Sequence, residues 1–477
     1  MLKKNQIQSV SILSVFLVLT ACKIPAITEK NENKKIPAGY SYSYDTTNSA
    51  QLNWKEYFND SYLNNLIDTA LKNNQELNIV LQEIDIARNE ISIRKGEYLP
   101  FVGLKAGGGV DKAARYTSRG ASEANIDIKP GKETPEPLGD MLIGAYANWE
   151  IDIWKKLRNA KKASVNRYLA TIEGKNFVIT NLIAEIANAY YELLALDNQL
   201  EIVQKNIDIQ NNALKIVRVQ KESAKVTELA VKRFEAEVLN TQSIQYNIQQ
   251  QIVETENKIN FLLARYPQPI PRQHQDFEHS VPQIIYAGIP AQLLDKRPDI
   301  RQAEQSLMAA KLDVKVAKAR FYPSLGISAA IGYQAFNPAH FFKTPESLLY
   351  SLAGDITAPL INRNAIKADY YNANAKQIQA VYEYERTLLN AYLEVVNQMS
   401  KINNLEKSYG FKSRQVEALT QSITISGNLF ASARADYMEV LLTQRDALES
   451  KFDLIETKLQ QMNAMVNIYR ALGGGWE

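Results

Sequence analysis

The sole cysteine, Cys22, is the residue whose side chain has the clearest chemistry in this 477-residue chain. It follows Leu19-Thr20-Ala21, a branched apolar residue and two small ones, a pattern that resembles a lipobox. Two lysines and an apolar run, Ile7–Leu19, precede it, and that run is too short to span a bilayer. The sequence therefore predicts a signal peptide over 1–21 and a diacylglycerol group on the thiol of Cys22. An ordinary secretory signal with an incidental cysteine is the alternative.

The residues after Cys22 indicate where the lipid would hold the protein. Lys23 occupies the position at which aspartate would, by analogy with other lipoproteins, favour retention in the inner membrane, so the outer membrane is the expected location. Residues 22–50 are rich in Asn, Lys, Pro and Ser and are predicted to be a lipidated tether. A single cysteine excludes an intramolecular disulfide, although an exported protein could form one.

Catalysis and nucleic-acid binding find little support in the sequence. His274, His279 and His340 lie in predicted loops without metal-ligand spacing, and neither a phosphate-binding loop nor a nucleophile elbow is present. The 55 Lys and Arg against 52 Asp and Glu give a net charge of +3 without a basic block. We therefore expect no enzyme activity, no cofactor beyond the lipid, and no nucleic-acid partner.

The positions of proline and glycine predict very long helices. All 16 prolines lie at or before Pro359, and none falls between Pro137 and Pro267. Proline costs about 3 kcal/mol inside a helix, so these stretches favour uninterrupted helices. We predict a helix over 155–222, about 100 Å long at 1.5 Å per residue, a turn near Ala224 and a return helix over 227–265. The stretch 361–472 repeats this plan, with its turn near Ala433.

Four segments alternate between apolar and small or polar residues, which predicts β-strands. They are 101–111, 141–152, 324–336 and 348–358, each close to the length of a tilted transmembrane strand. Polar loops, 112–139 and 337–347, separate the strands of each pair. Two hairpins of a soluble sandwich would show the same alternation, so the pattern leaves both interpretations open.

The chain contains an internal repeat. Pro100 and Gly103 correspond to Pro323 and Gly326, each pair separated by 223 residues, within similar helix-to-strand sequences. Each copy reads helix, strand, strand, long helix, helix. Four strands are too few for a bacterial barrel, and an open sheet edge cannot face lipid. If these strands cross a membrane, several copies must share one barrel, and three copies would supply 12 strands.

Three motifs carry a resemblance to TolC-type outer-membrane efflux proteins, specifically the lipoprotein branch that serves resistance-nodulation-division pumps. They are LLDKRPDIRQAE (293–304), AKARFYP (317–323) and YRALGGGW (469–476). The resemblance implies a mixed α+β membrane protein: a homotrimer with a 12-stranded β-barrel continuous with a long periplasmic α-helical barrel, two tandem repeats per chain. Such a protein is the outer-membrane exit duct of a tripartite pump for drugs or other small toxic compounds. Its expected partners are a periplasmic adaptor protein and an inner-membrane transporter.

The same resemblance assigns a role to each part of the chain. The expected segments are the equatorial and α-barrel helices of repeat 1 (51–99), β-barrel hairpin 1 (100–153), long helical hairpin 1 (154–266), an equatorial linker (267–297), the α-barrel helix of repeat 2 (298–322), β-barrel hairpin 2 (323–360), long helical hairpin 2 (361–472) and a C-terminal tail (473–477).

Functional residues are also implied by the resemblance, at the two helical turns. The adaptor is expected to dock on these turns, through Ser223, Ala224, Lys225, Thr227, Glu228, Ala433, Arg434 and Asp436. The periplasmic gate is expected at Met438, Glu439 and Leu442, with Phe430 supporting it. Three copies of Glu439 would form a carboxylate ring that favours cations.

This sequence departs from the family pattern at two points. Alanine replaces the turn glycine at 224 and 433, which makes a left-handed backbone less free. Leu442 stands where relatives often carry aspartate, so closure would be partly hydrophobic. Two alternatives to the efflux duct remain at this point: the exit duct of a type I protein-secretion system, and a non-conducting periplasmic coiled-coil lipoprotein scaffold.

Overall fold

A computed structural model describes residues 24–40, 47–273, 277, 286–361, 363–432 and 434–476. The predicted signal peptide, Cys22, His274, His279 and Ala433 lie outside the described residues.

Helices and strands follow one another in the order that the sequence predicts. In chain order they are α1 (Trp54–Phe58), α2 (Ser61–Asn73), α3 (Gln75–Tyr98), β1 (Phe101–Asp111), α4 (Ser118–Glu123), β2 (Asp127–Lys129), β3 (Lys132–Glu133), β4 (Leu138–Ile151), α5 (Lys156–Glu222), α6 (Glu228–Leu262), α7 (Leu293–Lys296), α8 (Pro298–Ala319), β5 (Ser324–Ala335), β6 (Leu348–Thr357), α9 (Asn364–Ala431) and α10 (Tyr437–Ala471). Short 3₁₀ turns occupy Ser49–Gln51, Pro290–Gln292 and Pro338–His340.

The internal repeat is confirmed by matching element lengths. Helices α5 and α9 have 67 and 68 residues, and the return helices α6 and α10 have 35 each. The helices that precede the strands, α3 and α8, have 24 and 22 residues. Because no proline interrupts α5 or α9, each forms one continuous helix, about 100 Å long at 1.5 Å per residue. Mixed helices and strands in two tandem repeats are therefore confirmed.

The return helices pack with a seven-residue period. In α6 the buried residues Phe234, Thr241, Ile248, Thr255 and Leu262 follow one another at that spacing. In α10 the buried Leu441, Leu448, Ile455 and Met462 do the same. This is the spacing of coiled-coil packing, in which one seam of each helix faces its neighbours.

All four predicted strands form one antiparallel sheet in the order β1-β4-β5-β6, so that β1 and β6 are its edges within the described part of the chain. β4 is slightly longer than predicted, beginning at Leu138. The predicted loop 112–139 is less irregular than expected, because it holds the helix α4 and the small hairpin β2-β3.

The described residues divide into two compact units. The first combines the segment up to Asn31 with Asp85–Leu169 and Gln305–Tyr382, and it contains the sheet. The second combines Glu32–Ile84, Ala170–Glu304 and Glu383–Glu477.

A large apolar core lies in the second unit. Tyr190, Leu193, Leu63 and Ile67 are fully buried in it. Tyr469 stacks on Tyr57 with ring centroids 4.2 Å apart. Burial raises the pKa of Tyr57, whose hydroxyl donates to the carbonyl of Met465 at 2.9 Å.

The described part of the predicted tether makes defined contacts. Residues 24–40 have little regular secondary structure. In the first unit, Ile24 and Ile27 pack against a cluster that contains Phe321 and Tyr370. In the second unit, Lys34 pairs with Glu304 at 2.5 Å and Tyr40 stacks on Tyr392. These few apolar, aromatic and charged side chains fix the described part of the predicted tether at several points. Among the described helices, none is long and apolar enough to cross a membrane.

Candidate functional site

The four-stranded sheet has two chemically different faces. Its register places alternate residues of every strand on the same side, because directly paired residues share a face. One face is apolar along all four strands and includes Val102, Leu104, Val110, Met141, Ile143, Trp149, Ile151, Leu325, Ile327, Ile331, Tyr333, Leu348, Tyr350, Leu352 and Ile356. The other face carries every charged side chain of these strands, namely Lys105, Asp111, Asp140, Glu150 and Asp355.

The apolar face is open to its surroundings in the single chain. Leu104 on β1 is 86% exposed and Leu352 on β6 is 80% exposed. Contiguous apolar surface of this kind is rare on a water-exposed protein and marks contact with a membrane or another protein. Strands of 10 to 14 residues with an apolar outer face match the pattern of an outer-membrane barrel wall.

Aromatic side chains stand at both ends of the sheet. At the end that joins the long helices, Trp154 stacks on Tyr322 with centroids 4.6 Å apart and donates to the carbonyl of Pro323 at 2.7 Å. At the loop end, Tyr333 packs edge-on against Phe342 with centroids 5.6 Å apart. Aromatic girdles of this kind flank the apolar band of outer-membrane barrels, where a ring meets both lipid and head groups.

Small, polar and charged residues predominate on the opposite face. Gln334 donates to Asp140 at 2.8 Å across the β4-β5 pair. Gly326 leaves room for the carboxylate of Asp355, because a Cβ at Gly326 would lie 2.9 Å from its Oδ1. Small residues with scattered charges are what a water-filled interior requires.

At the turn between α5 and α6, an alanine occupies a left-handed conformation. Ala224 has a φ of +56°. The amide of Lys225 donates to the carbonyl of Gln220 at 2.9 Å, and the amide of Ala224 donates to the carbonyl of Lys221 at 2.9 Å. These are the two hydrogen bonds of a Schellman motif, which usually has glycine at this position. Ala224 therefore adopts the left-handed conformation that glycine would supply, at a cost of about 1–2 kcal/mol.

The residues predicted for adaptor docking on this first turn are all exposed: Ser223, Ala224, Lys225, Thr227 and Glu228. Lys221 pairs with Glu228 at 2.8 Å across the turn. The hydrogen bond and positive charge of Lys221 lower the pKa of Glu228. This turn therefore presents a small polar surface with a neutralised carboxylate.

The second turn, between α9 and α10, closes in a similar way. The amide of Arg434 donates to the carbonyl of Leu429 at 2.8 Å, and the hydroxyl of Ser432 donates to the backbone carbonyl of Asn428 at 2.8 Å. Arg434 and Asp436, both predicted for docking, are exposed. Asp436 precedes α10 in an extended conformation without capping the helix through its side chain.

An apolar cluster joins the two helical hairpins near their turns. Leu214, Val217 and Phe234 of the first hairpin pack with Val440 and Leu441 of the second. Phe430 is partly buried against this cluster, consistent with the supporting role predicted for it. The described contacts of one chain thus hold both turns together.

The three other predicted gate residues share one side of α10. At 100° per residue, Met438, Leu442 and Glu439 fall within an arc of about 100°, and the buried Val440 lies on the opposite side of the helix. Leu442 is 41% exposed and Glu439 is exposed. Met438 is partly buried, with Arg233 of α6 at 3.5 Å from its sulfur. Within the described ranges, no Lys or Arg nitrogen lies within 4.0 Å of the Glu439 carboxylate.

Comparison with known proteins decides the family of this chain. A family model described as "Outer membrane efflux protein" matches residues 66–265 and 289–474. The chain belongs to the outer membrane efflux protein family. The predicted outer-membrane location and efflux role of the chain are thereby confirmed.

Relatives of this outer membrane efflux protein match it over nearly its full length. The pyoverdine export outer membrane protein OpmQ of Pseudomonas aeruginosa is 25% identical over 476 residues, 98% of this chain and 97% of OpmQ. The solvent efflux pump outer membrane protein SrpC of Pseudomonas putida is 26% identical over 88% of this chain and 87% of its own. The cation efflux system protein CusC of Escherichia coli is 23% identical over 97% of this chain and 98% of CusC.

Solved structures share the fold. The outer-membrane channel OprN superposes with a TM-score of 0.83 at 23% identity, covering 94% of this chain and 99% of OprN. The open state of the MtrE outer membrane channel of Neisseria gonorrhoeae gives 0.81 at 21% identity, covering 95% of this chain and 98% of MtrE.

The motif at 293–304 contains Arg297, but the sequence does not indicate the role that the structure gives to its side chain. Its side chain is only 6% exposed, and it bonds to Asp299 at 2.7 Å, to Glu394 at 2.8 Å and to the carbonyl of Ala471 at 2.9 Å. Burial works against its charge, but the hydrogen bonds and negative charges of Asp299 and Glu394 outweigh burial and raise the pKa of the guanidinium.

Arg297 joins parts of the second unit that are distant in sequence. Asp299 begins α8, Glu394 lies on α9, and Ala471 ends α10. Nearby, Trp476 donates to the carbonyl of Lys296 at 3.1 Å and lies against Arg301. The two motifs that carry the family resemblance, at 293–304 and 469–476, thus contact each other.

Proposed function

We propose that three copies of this chain form a closed 12-stranded barrel through the outer membrane, the exit duct of a tripartite efflux pump. The observation that carries the proposal is the four-stranded sheet, with one exposed apolar face, one polar face and two edges. Unsatisfied backbone groups at an edge cost several kcal/mol each in lipid. Pairing β1 of one copy with β6 of the next removes both edges and encloses the polar face.

The helical hairpins carry a matching signal for assembly. Leu239, Tyr246 and Val253 of α6 are exposed at seven-residue spacing, on a different side from the buried coiled-coil seam. An exposed apolar stripe with coiled-coil spacing favours packing against a further helix. A neighbouring copy of the chain would supply that helix, which continues the barrel into a helical tube.

The partners of the duct are part of the same proposal. Acylated Cys22 would anchor each copy in the membrane, and the turns at 222–229 and 430–437 would receive a periplasmic adaptor. An inner-membrane transporter of the resistance-nodulation-division class would supply the energy. The cargo is proposed to be drugs or other small toxic compounds, since relatives are named for solvent and cation efflux and for pyoverdine export.

The gate is proposed at the periplasmic end, where Leu442 and Glu439 of three copies would converge. Leu442 and Met438 would supply an apolar constriction, and Phe430 would support it from the apolar cluster that joins the two hairpins near their turns. Three Glu439 carboxylates would repel one another as they approach, so closure must balance that repulsion against apolar contact. A carboxylate ring would also favour cations in the open pore.

Planar-bilayer recording tests both the duct and its gate. Wild-type protein should give discrete channels with a preference for cations. Glu439→Gln should lower the cation-to-anion permeability ratio by roughly a factor of two or more, because it removes the ring of charge. Reversal potentials in asymmetric KCl measure this ratio.

A matched control comes from the neighbouring turn. Glu228→Gln makes the same chemical change at a carboxylate that Lys221 already neutralises, so the permeability ratio should stay unchanged. Equal shifts in both variants, or none in Glu439→Gln, would reject the gate assignment. Absence of any conductance in wild-type protein would reject the duct.

A further inference from the structure

Two loops meet at the end of the sheet that is remote from the long helices. β1 ends at Asp111, which pairs with Leu138, the first residue of β4. β5 ends at Ala335 and β6 begins at Leu348. The segments 112–137 and 336–347 therefore lie at the same end of the sheet. With the helices in the periplasm, as proposed above, this end meets the outer leaflet.

An aromatic cluster is built on the second of these loops. Phe341 packs edge-on against Phe342 with centroids 5.0 Å apart, and Phe336 lies 5.5 Å from the ring of His340. Phe342 also packs on Tyr333 at the end of β5. Phe342 is nevertheless 72% exposed, which offers a large apolar ring to whatever surrounds the loop.

Three lysines surround this cluster. Lys129, from the hairpin β2-β3, contacts Nε2 of His340 and has its ammonium 6.0 Å from the ring centroid of Phe336. Burial and the positive charges of Lys129, Lys343 and Lys132 lower the pKa of His340. The neutral ring of His340 can therefore accept a hydrogen bond from Lys129, and both loops contribute cations to one place.

The other cations of the longer loop are already neutralised. Lys112 and Arg115 lie 3.5 and 3.6 Å from Glu136, and Arg119 pairs with both Asp111 and Glu123.

By contrast, over the described residues no carboxylate lies within 4.0 Å of Lys129, Lys132 or Lys343. Glu133 and Glu346 stand on the same loops without pairing with these three lysines, and Asp127 accepts from the amide of Gly131 at 2.9 Å. A loop pair with almost balanced composition therefore presents a local excess of positive charge.

We propose that this patch binds the phosphorylated head group of the glycolipid that forms the outer leaflet of the outer membrane. Lys129, Lys132 and Lys343 would contact its phosphates, and Phe342 would pack at the boundary between head group and acyl chains. Basic side chains next to a membrane surface attract anionic lipids, and aromatic rings are enriched at the membrane–water interface, at the level of the head groups. A bisphosphorylated glycolipid suits three separate lysine charges better than a lipid with one phosphate. The inference rests on the orientation proposed for the sheet.

Native mass spectrometry of the detergent-solubilised protein tests this proposal, with three lipids as probes. Bisphosphorylated lipid A should bind more tightly than the same lipid A without phosphates and more tightly than phosphatidylglycerol. Equal binding of the dephosphorylated lipid, or of phosphatidylglycerol, would overturn the proposal. This comparison uses unmodified protein, so it does not depend on the folding of any variant.

Charge-removing variants then locate the site. Lys129→Gln with Lys343→Gln should weaken lipid A binding by roughly tenfold or more. The matched control, Lys112→Gln with Arg119→Gln, removes two cations of the same loop region that pair with separate carboxylates, Glu136 for Lys112 and Asp111 with Glu123 for Arg119, and should leave binding within about twofold. Equal losses in the two double variants would overturn the assignment. If single-channel conductance is normal but lipid A binds equally well with and without its phosphates, only the lipid-binding inference is rejected. A lack of conductance would reject the duct.

Discussion

Arg297→Ala is expected to lower the free energy of unfolding by about 3–5 kcal/mol, the loss usual when one partner of a buried ion pair is removed. Alanine would leave Asp299, Glu394 and the carbonyl of Ala471 without the guanidinium that now satisfies them. The measurement is the denaturant midpoint and slope of the detergent-solubilised protein, followed by far-ultraviolet circular dichroism.

Two further variants separate burial from charge. Arg386→Ala removes an exposed arginine that pairs with Glu383 at 2.5 Å three residues away, and should cost no more than about 0.5 kcal/mol. Arg297→Lys should recover only part of the loss, because an ammonium cannot reproduce the planar fork that reaches three partners. If Arg297→Ala and Arg386→Ala cost the same, the buried cluster is not a stabilising element.

Leu352→Arg should disrupt the outer-membrane part of the protein. Leu352 is near the middle of β6 on the exposed apolar face, and arginine at the lipid-facing midplane of a barrel costs about 2–4 kcal/mol per chain. The expected result is a strong loss of assembled protein in outer-membrane fractions. The proportion of heat-modifiable oligomer on mild gel electrophoresis measures it.

Its control is the adjacent residue on the other face. Ser351→Arg introduces the same side chain one residue away, where the sheet register points it to the polar side. This variant should assemble nearly as well as wild type and reduce single-channel conductance, because the charge enters the water-filled interior. Equal assembly of the two variants would show that neither face of this strand meets lipid.

Most of the fold was accessible from local sequence rules. Long helices followed from the absence of proline between Pro137 and Pro267 and after Pro359, since proline is the residue that most strongly interrupts a helix. The strands followed from alternation, which the register confirms because the alternating residues of all four strands share faces. The repeat followed from Pro100 and Pro323, which mark the same helix-to-strand junction.

Other features depend on contacts between distant residues, and local patterns do not report them. Arg297 pairs with Glu394, which lies 97 residues later in the chain, and no local sequence pattern near either residue predicts that pairing. The strands β2 and β3 have only 3 and 2 residues, too few for an alternation of apolar and polar residues to show in the sequence. The lysine patch arises because Glu136, Asp111 and Glu123 neutralise only some of the loop cations, and composition shows merely a balanced segment.

The docking and gate residues could be predicted from the sequence only in part. Family resemblance placed them at the turns, and the structure adds that Leu442 and Glu439 are exposed on one side of α10 while Met438 turns toward Arg233. Their roles in gating and docking remain predictions, because one chain does not form the constriction.

Subunit counting tests the central claim most directly. The claim is that this four-stranded sheet completes its wall only with neighbouring copies. Native mass spectrometry of the protein extracted in mild detergent should give a single assembly of three chains. A stable species with one chain, in which the sheet edges stay unpaired, would contradict it.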